Sequence, residues 1–252
     1  MQLIPLTLIL LMLLVPLPSI VLKILWGAEV LFAIVILLNS FTGRNKDKFS
    51  VMLLCFCLFS LALNIALLRF GLSSTMLQHE GIFLIRWIEE KTIDDTYSLA
   101  LIISMSLIIA DVLLVSTPSF HISEIIARFA HDSMNTKFFE IDNRLNKKEI
   151  SENEAAILKN AIQNEADTKS KLAGATKFLS GSIKVSSSLL ILYLLIGLLI
   201  GIFVNNLNFL GSLKTTTPSF FVSSILFTVP QIIIGIAVKL KIKREQLLQE
   251  TL

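Results

Sequence analysis

Three ionisable side chains sit inside long apolar runs of this sequence: Glu29, Arg69 and Asp111. Burying one such charge in a bilayer costs roughly 2.5–3.5 kcal/mol on insertion scales, so these residues usually face a bundle interior or a water-filled cavity. A carboxylate there is the group most readily protonated and released near neutral pH once it is partly desolvated. Glu29 lies about a third of the way along its run, Asp111 lies near the end of another, and Arg69 is close enough to a run's end to snorkel to the interface. A second set of charges occupies a polar stretch. Glu124, Arg128 and Asp132 recur at four-residue spacing on one helical stripe, where a ladder of surface ion pairs is worth a few tenths of a kcal/mol per pair. Lys137 and Asp142 are five residues apart, on adjoining faces of a helix. Cys55 and Cys57 point in different directions on a helix, so neither a disulfide nor a metal site is expected of them. His121 and His131 read as ordinary loop residues. There is no Gly-rich phosphate loop, dinucleotide turn or paired metal-ligand motif, so no enzyme, cofactor or metal is expected.

The elements that must position these residues are membrane helices. Of the 252 residues, 54% are hydrophobic and 16% charged, and the mean hydropathy is +0.77. A soluble domain would carry roughly 25% charged residues. The charges concentrate in residues 119–184 and in the last fourteen residues, which is the pattern of membrane spans alternating with wet loops. The apolar start from Met1 to Val15 has no Lys or Arg before it and no small-x-small site after it, so it reads as a retained first span rather than a signal peptide. Six spans are expected, over residues 3–22, 24–41, 49–72, 97–117, 185–204 and 220–240, the fourth closed by Pro118. The fold class is therefore all-α, with about six transmembrane helices and a small helical segment between spans four and five. Three units follow: residues 1–118 with four spans, 119–184 polar, and 185–252 with two spans and a basic tail.

Orientation follows from the loops. Arg44, Lys46 and Lys48 follow span two, ten Lys and Arg residues lie between Arg128 and Lys184, and Lys241, Lys243 and Arg244 follow span six. The loop after span three is acidic, with Glu80, Glu89, Glu90, Asp94 and Asp95 against Arg86 and Lys91. Six spans with both termini in the cytoplasm put every basic loop on the cytoplasmic side. These loops also account for the net charge of +3 without any nucleic-acid partner. In the middle segment, Ser119 and Ser123 can cap a helix carrying Ile122, Ile125, Ile126 and Phe129, and Ser151 with Glu154 fits a capping box. Gly197 and Gly201 form a small-xxx-small pair able to pack a neighbouring helix or subunit.

The run HISEIIARFAHDSMNTKFFEIDNRLN, from His121 to Asn146, resembles the signature of the FHIPEP family, the large export-gate subunit of flagellar and virulence type III secretion systems. Ile122, Glu124, Ala127, Arg128, Phe129, Asp132, Met134, Lys137, Ile141, Asp142, Leu145 and Asn146 carry that resemblance. A second block from Glu165 to Ser182 matches the family at Gly174, Ala175, Lys177, Phe178 and Gly181. Upstream, Pro16-Leu17-Pro18, Leu61-Ala62-Leu63-Asn64 and Arg69 fall where the family has PLP, LALN and an Arg. The likeness covers nearly the whole chain in register.

The resemblance implies a bacterial inner-membrane component of a type III export apparatus. It would form a homo-oligomeric ring with other membrane proteins of that apparatus and help unfolded protein substrates cross. It also implies that carboxylates and a lysine near the cytoplasmic face couple ion flow to transport, which makes Lys137, Asp142 and Asp111 the candidate ion-coupling or gating residues. The family's polar set is thinned here. Its Pro-Gly is Asn135-Thr136, its Gln-Met is Phe138-Phe139, and two of its Asp positions are Ala173 and Ser182. Its Gly-Asp-Gly before the last span is Val222-Ser223-Ser224, and its Asn near the end of span four is Asp111. Family members continue into further spans and a large docking domain, neither of which is expected in a sequence ending at Leu252. The thinning raises a second expectation, a membrane scaffold or degenerate remnant without ion-coupled export.

Overall fold

The computed structural model describes Met12 and residues 17–42, 46–77 and 97–250. The described residues contain no strand. In chain order they form α1 (Ser19–Thr42), α2 (Lys46–Leu77), α3 (Tyr97–Asp111), a π-helical turn (Val112–Ser116), α4 (Thr117–Asn146), α5 (Glu152–Phe203) and α6 (Phe209–Glu250). Helix is the form that satisfies every backbone N–H and C=O within one segment, which a bilayer interior demands. Among the described residues, five helical stretches are long and apolar enough to cross a membrane: Ser19–Phe41, Lys48–Leu72, Tyr97–Asn146, Glu152–Phe203 and Phe209–Arg244. The last five expected spans fall inside these stretches. Most of the span expected at residues 3–22, and the acidic loop from Glu80 to Asp95, lie outside the described residues.

The helices overrun the expected spans. Pro118 does not close span four: helix continues from Tyr97 to Asn146, 50 residues, or about 75 Å at 1.5 Å per residue. α5 runs 52 residues, about 78 Å. The hydrocarbon core takes about 30 Å of each, so α4 and the first half of α5 project from the bundle as an antiparallel hairpin. Ser119 and Ser123 are consequently inside a helix rather than capping one; both are buried, and the Ser123 hydroxyl donates to Phe120 O at 2.7 Å. The turn of the hairpin places Lys148 in the left-handed region at φ 59°. The Glu149 N–H donates back to Arg144 O at 2.9 Å, which ends α4 cleanly. The expected capping box then opens α5: Glu154 N–H donates to Ser151 Oγ at 3.2 Å, and Ser151 N–H donates to Glu154 Oε2 at 2.8 Å.

Two prolines interrupt membrane helices, and each is answered by a neighbouring helix. Proline has no N–H for the carbonyl four residues back, and its ring crowds that carbonyl. For Pro230 in α6 the orphaned group is Leu226 O, and the Trp26 indole of α1 donates to it at 3.0 Å. For Pro118 it is Leu114 O, and Lys239 Nζ of α6 donates to it at 3.1 Å. The π turn beside Pro118 opens the helix enough to admit the ring, with both the N–H and the hydroxyl of Thr117 donating to Val112 O.

Small residues bring the helices close. Gly197 and Gly201 of α5 face Thr216 and Ser212 of the chain's own α6 so closely that a Cβ at either would overlap them. The Ser212 hydroxyl donates to Leu198 O at 2.8 Å across that seam. Gly71 of α2 lies under the Tyr193 ring, and Gly235 of α6 meets Val115 of the π turn. Buried hydroxyls such as Ser104, Thr176 and Thr228 bond the carbonyl four residues back, so they enter the apolar bundle satisfied.

The proline account makes a prediction. Trp26→Phe leaves Leu226 O without a donor and lowers thermal stability in detergent by about 1 kcal/mol or more. In a Pro230→Ala background the new N–H serves Leu226 O, and the cost of Trp26→Phe shrinks toward that of lost packing alone. Equal cost in both backgrounds, read by thermal unfolding of the four variants, would contradict the role given to the indole.

Candidate functional site

Two sets of charges stand out, one on the projecting hairpin and one inside the bundle. On the hairpin, Lys137 of α4 pairs with Glu165 of α5 at 3.0 Å, and Lys169, one turn along α5, holds the other oxygen of Glu165 at 2.9 Å. Nearer the tip, Asp142 pairs with Lys159 at 2.6 Å. Lys137 and Asp142 therefore do not meet each other; each takes a partner on the opposite helix. Both pairings are near-mirror positions about residue 151, where the capping box reverses the chain, and that symmetry is the sequence signal that identifies Glu165 and Lys159. A shallow cleft beside the upper pair is lined by Ala130, Met134, Ile162 and the Lys137, Glu165 and Lys169 side chains.

Hydrogen bonds from Lys169 and then Lys137 hold the Glu165 carboxyl down to about 2, outweighing its partial burial. Glu154 is also held below the ordinary range, by the Ser151 N–H and hydroxyl. The stripe of Glu124, Arg128 and Asp132 is exposed along its length. Glu124 sits 3.8 Å from His121, and among the described residues no ion pair joins Arg128 to either carboxylate.

Inside the bundle, Glu29 and Asp111 are each only 1% exposed, and Glu29 Oε2 and Asp111 Oδ1 have no hydrogen-bond partner. Arg69 is half-buried. Two further polar residues share the bundle interior. Asn64 donates from Nδ2 to Ser186 Oγ at 3.0 Å while its Oδ1 is unpartnered, and neither amide atom of Gln231 has a partner. Gln231 was open to notice in the sequence as a lone amide in an apolar run directly after Pro230.

Because the Glu165 carboxyl titrates lower folded than the ordinary value of about 4.3, its contribution is fully present above that value and lost as pH falls toward 2. Glu165→Gln should flatten the acid limb of a stability-against-pH profile below about pH 4 and leave neutral pH nearly unchanged, since the pair is two-fifths exposed and solvent screens it. An acid limb identical in the wild type and the variant would remove Glu165 from that role.

Comparison with known proteins sets these sites in a lineage. The chain is 29% identical over 230 residues to the flagellar biosynthesis protein FlhA of Treponema pallidum, covering 88% of this chain and 32% of that relative. Against FlhA of Helicobacter pylori it is 30% identical over 233 residues, covering 91% and 32%. Against FlhA of Bacillus subtilis it is 26% identical over 246 residues, covering 96% and 36%. The chain thus spans about a third of the length of these relatives. No solved structure matches it. The FHIPEP pattern extends over residues 9–251, taking in both the bundle and the hairpin, and the chain belongs to the FHIPEP family.

Proposed function

We propose that this chain supplies membrane-embedded structure to the export gate of a type III protein secretion apparatus, helping unfolded protein substrates cross the bacterial inner membrane. The observation that carries this reading is the family match over residues 9–251, together with relatives that are flagellar biosynthesis proteins. In this reading six helices span the membrane, residues 119–184 and both termini are cytoplasmic, and copies of the chain assemble into a ring beside other export-apparatus proteins. The distribution of Lys and Arg supports the orientation, since ten of them lie on the hairpin between Arg128 and Lys184. Lys137 and Asp142 take part in gating as ends of ion pairs that the hairpin makes and breaks.

A second reading is a scaffold without ion coupling. It is favoured by the engagement of Lys137 and Asp142 in ion pairs across the hairpin. A Glu165 carboxyl held near 2 also cycles no proton near neutral pH.

The two readings separate in cells where this chain is the sole gate subunit. The export-gate reading expects secretion with the wild-type chain and a fall of several-fold with Lys137→Ala or Asp142→Ala. No secretion with the wild type contradicts export outright, and full secretion with both variants contradicts gating by this pair. Restoration by the charge swap Lys137→Glu with Glu165→Lys assigns the pair to structure alone.

A further inference from the structure

Glu29, Ser60, Asp111 and Gln231 come from four helices, yet helix register brings them to one depth. α1 runs parallel to α6: Trp26 reaches Leu226 O at 3.0 Å, and Arg244 bonds Phe41 O further along. Those two contacts set Glu29 opposite residues 229–232 of α6. α3 also runs parallel to α6. Lys214 lies 5.3 Å from the Tyr97 ring at one end, and at the other Val115 Cγ1 would stand 2.5 Å from a Cβ on Gly235. One helical turn back from that contact sets Asp111 level with Gln231. Because residues four apart share a helix face, both lie on the faces the two helices turn toward each other. Ser60 of α2 lies beside Glu29, and Asn64 is one turn further along.

Each of these residues is buried, at 1% exposure or less. Glu29 Oε2, Ser60 Oγ, Asn64 Oδ1, Asp111 Oδ1 and both amide atoms of Gln231 lack a hydrogen-bond partner within the protein. An orphaned polar atom costs about 1–3 kcal/mol when dry, and buried polar groups are as a rule satisfied by protein or by ordered water. Among the described residues, no ion pair involves Glu29 or Asp111. The cations of the adjoining helices are engaged elsewhere. Lys239 bonds Leu114 O, Lys241 lies over Phe49, Lys184 lies over Phe120, and Arg244 bonds Phe41 O. Arg69 is on α2 more than two turns beyond Ser60, Lys23 is exposed, and Cys57 of α2 lies beside Ser182 of α5.

We propose that Glu29, Asp111 and Gln231 frame a hydrated proton-binding site inside the bundle, in which ordered water links the two carboxyl groups through the Gln231 amide. An amide suits that place because Nε2 donates to a carboxylate while Oε1 accepts from a carboxylic acid or water, so it serves both protonation states. A proton leaves one carboxyl oxygen for a bridging water as another proton passes from water to the second carboxylate, and the net charge of the site is unchanged. The site requires only that the bundle span a membrane. A dry layer would leave the export reading standing, and failure of export would leave the site standing.

The test is difference infrared spectroscopy of the full chain in lipid nanodiscs over a pH series, in water and in heavy water. Carboxylic-acid bands should titrate and shift on deuteration, with one removed by Glu29→Gln and another by Asp111→Asn. Gln231→Leu should move the titration midpoint of both by about one pH unit or more. Bands insensitive to bath pH or to deuteration would overturn the proposal, as would midpoints unmoved by Gln231→Leu. Midpoints that track sodium concentration would assign the site to a metal cation and overturn the proton. If Gln231→Leu does not insert, Gln231→Glu should raise the midpoints by adding a third carboxyl at the same depth, and no change there is equally decisive against the shared site.

Discussion

An unpaired backbone carbonyl in hydrocarbon costs more than the fold can spare, and much of this structure answers that constraint. The chain carries prolines at positions 118 and 230 within helices that cross the bundle, and each frees the carbonyl four residues earlier. The Trp26 indole and the Lys239 ammonium fill those two gaps from other helices. The same two contacts also fix packing. Trp26 ties α1 to α6 and sets their register, and Lys239 ties α6 to the π turn at the point where the α3–α4 helix leaves the bundle. Small residues at Gly197, Gly201 and Gly235 let the backbones approach closely enough for such side-chain donors to reach.

From that constraint follows the geometry of the charged hairpin. Because helix persists through Pro118, α4 is a continuation of a membrane helix and not a loosely linked unit, and α5 returns along it for more than seven turns. The Lys137–Glu165–Lys169 and Asp142–Lys159 contacts then lie along a rod whose base is seated in the bundle through Ser116, which bonds Ser180. Movement of the hairpin would be felt at the π turn, one turn below Asp111. That proximity connects the two sets of charges physically, although they differ in character. The hairpin pairs are wet and satisfied, whereas the buried carboxyls are dry on the protein side and without cations.

Much of this was legible in the sequence, for identifiable reasons. Five apolar runs announce their helices through hydropathy alone, the Ser151–Glu154 box announces the start of α5, and the ordered blocks around Lys137 and Gly174 announce the family. What hydropathy could not show is that Pro118 leaves the helix intact, since the compensating donor, Lys239, lies 125 residues away. Serines 119 and 123 looked like caps for the same reason: a proline usually marks a boundary. Gly197 and Gly201 showed close packing but not the partner, which is α6 of the same chain. Glu29 and Asp111 occupy different fractional positions along their runs, and only the stagger of the helices puts them at one depth beside Gln231.

The central claim is that α3 and α4 are one helix carrying the charged hairpin out of the membrane through Pro118. A site-directed spin-label scan over residues 105–135 of the full chain in lipid bilayers tests it most directly, by comparing accessibility to oxygen and to a water-soluble relaxant at each position. The account predicts a helical period of about 3.6 residues continuing in phase across residue 118, widened locally at residues 112–116, with a smooth change from lipid to water beyond it. Loss of the period at Pro118, with mobile water-exposed labels on its far side, would contradict it.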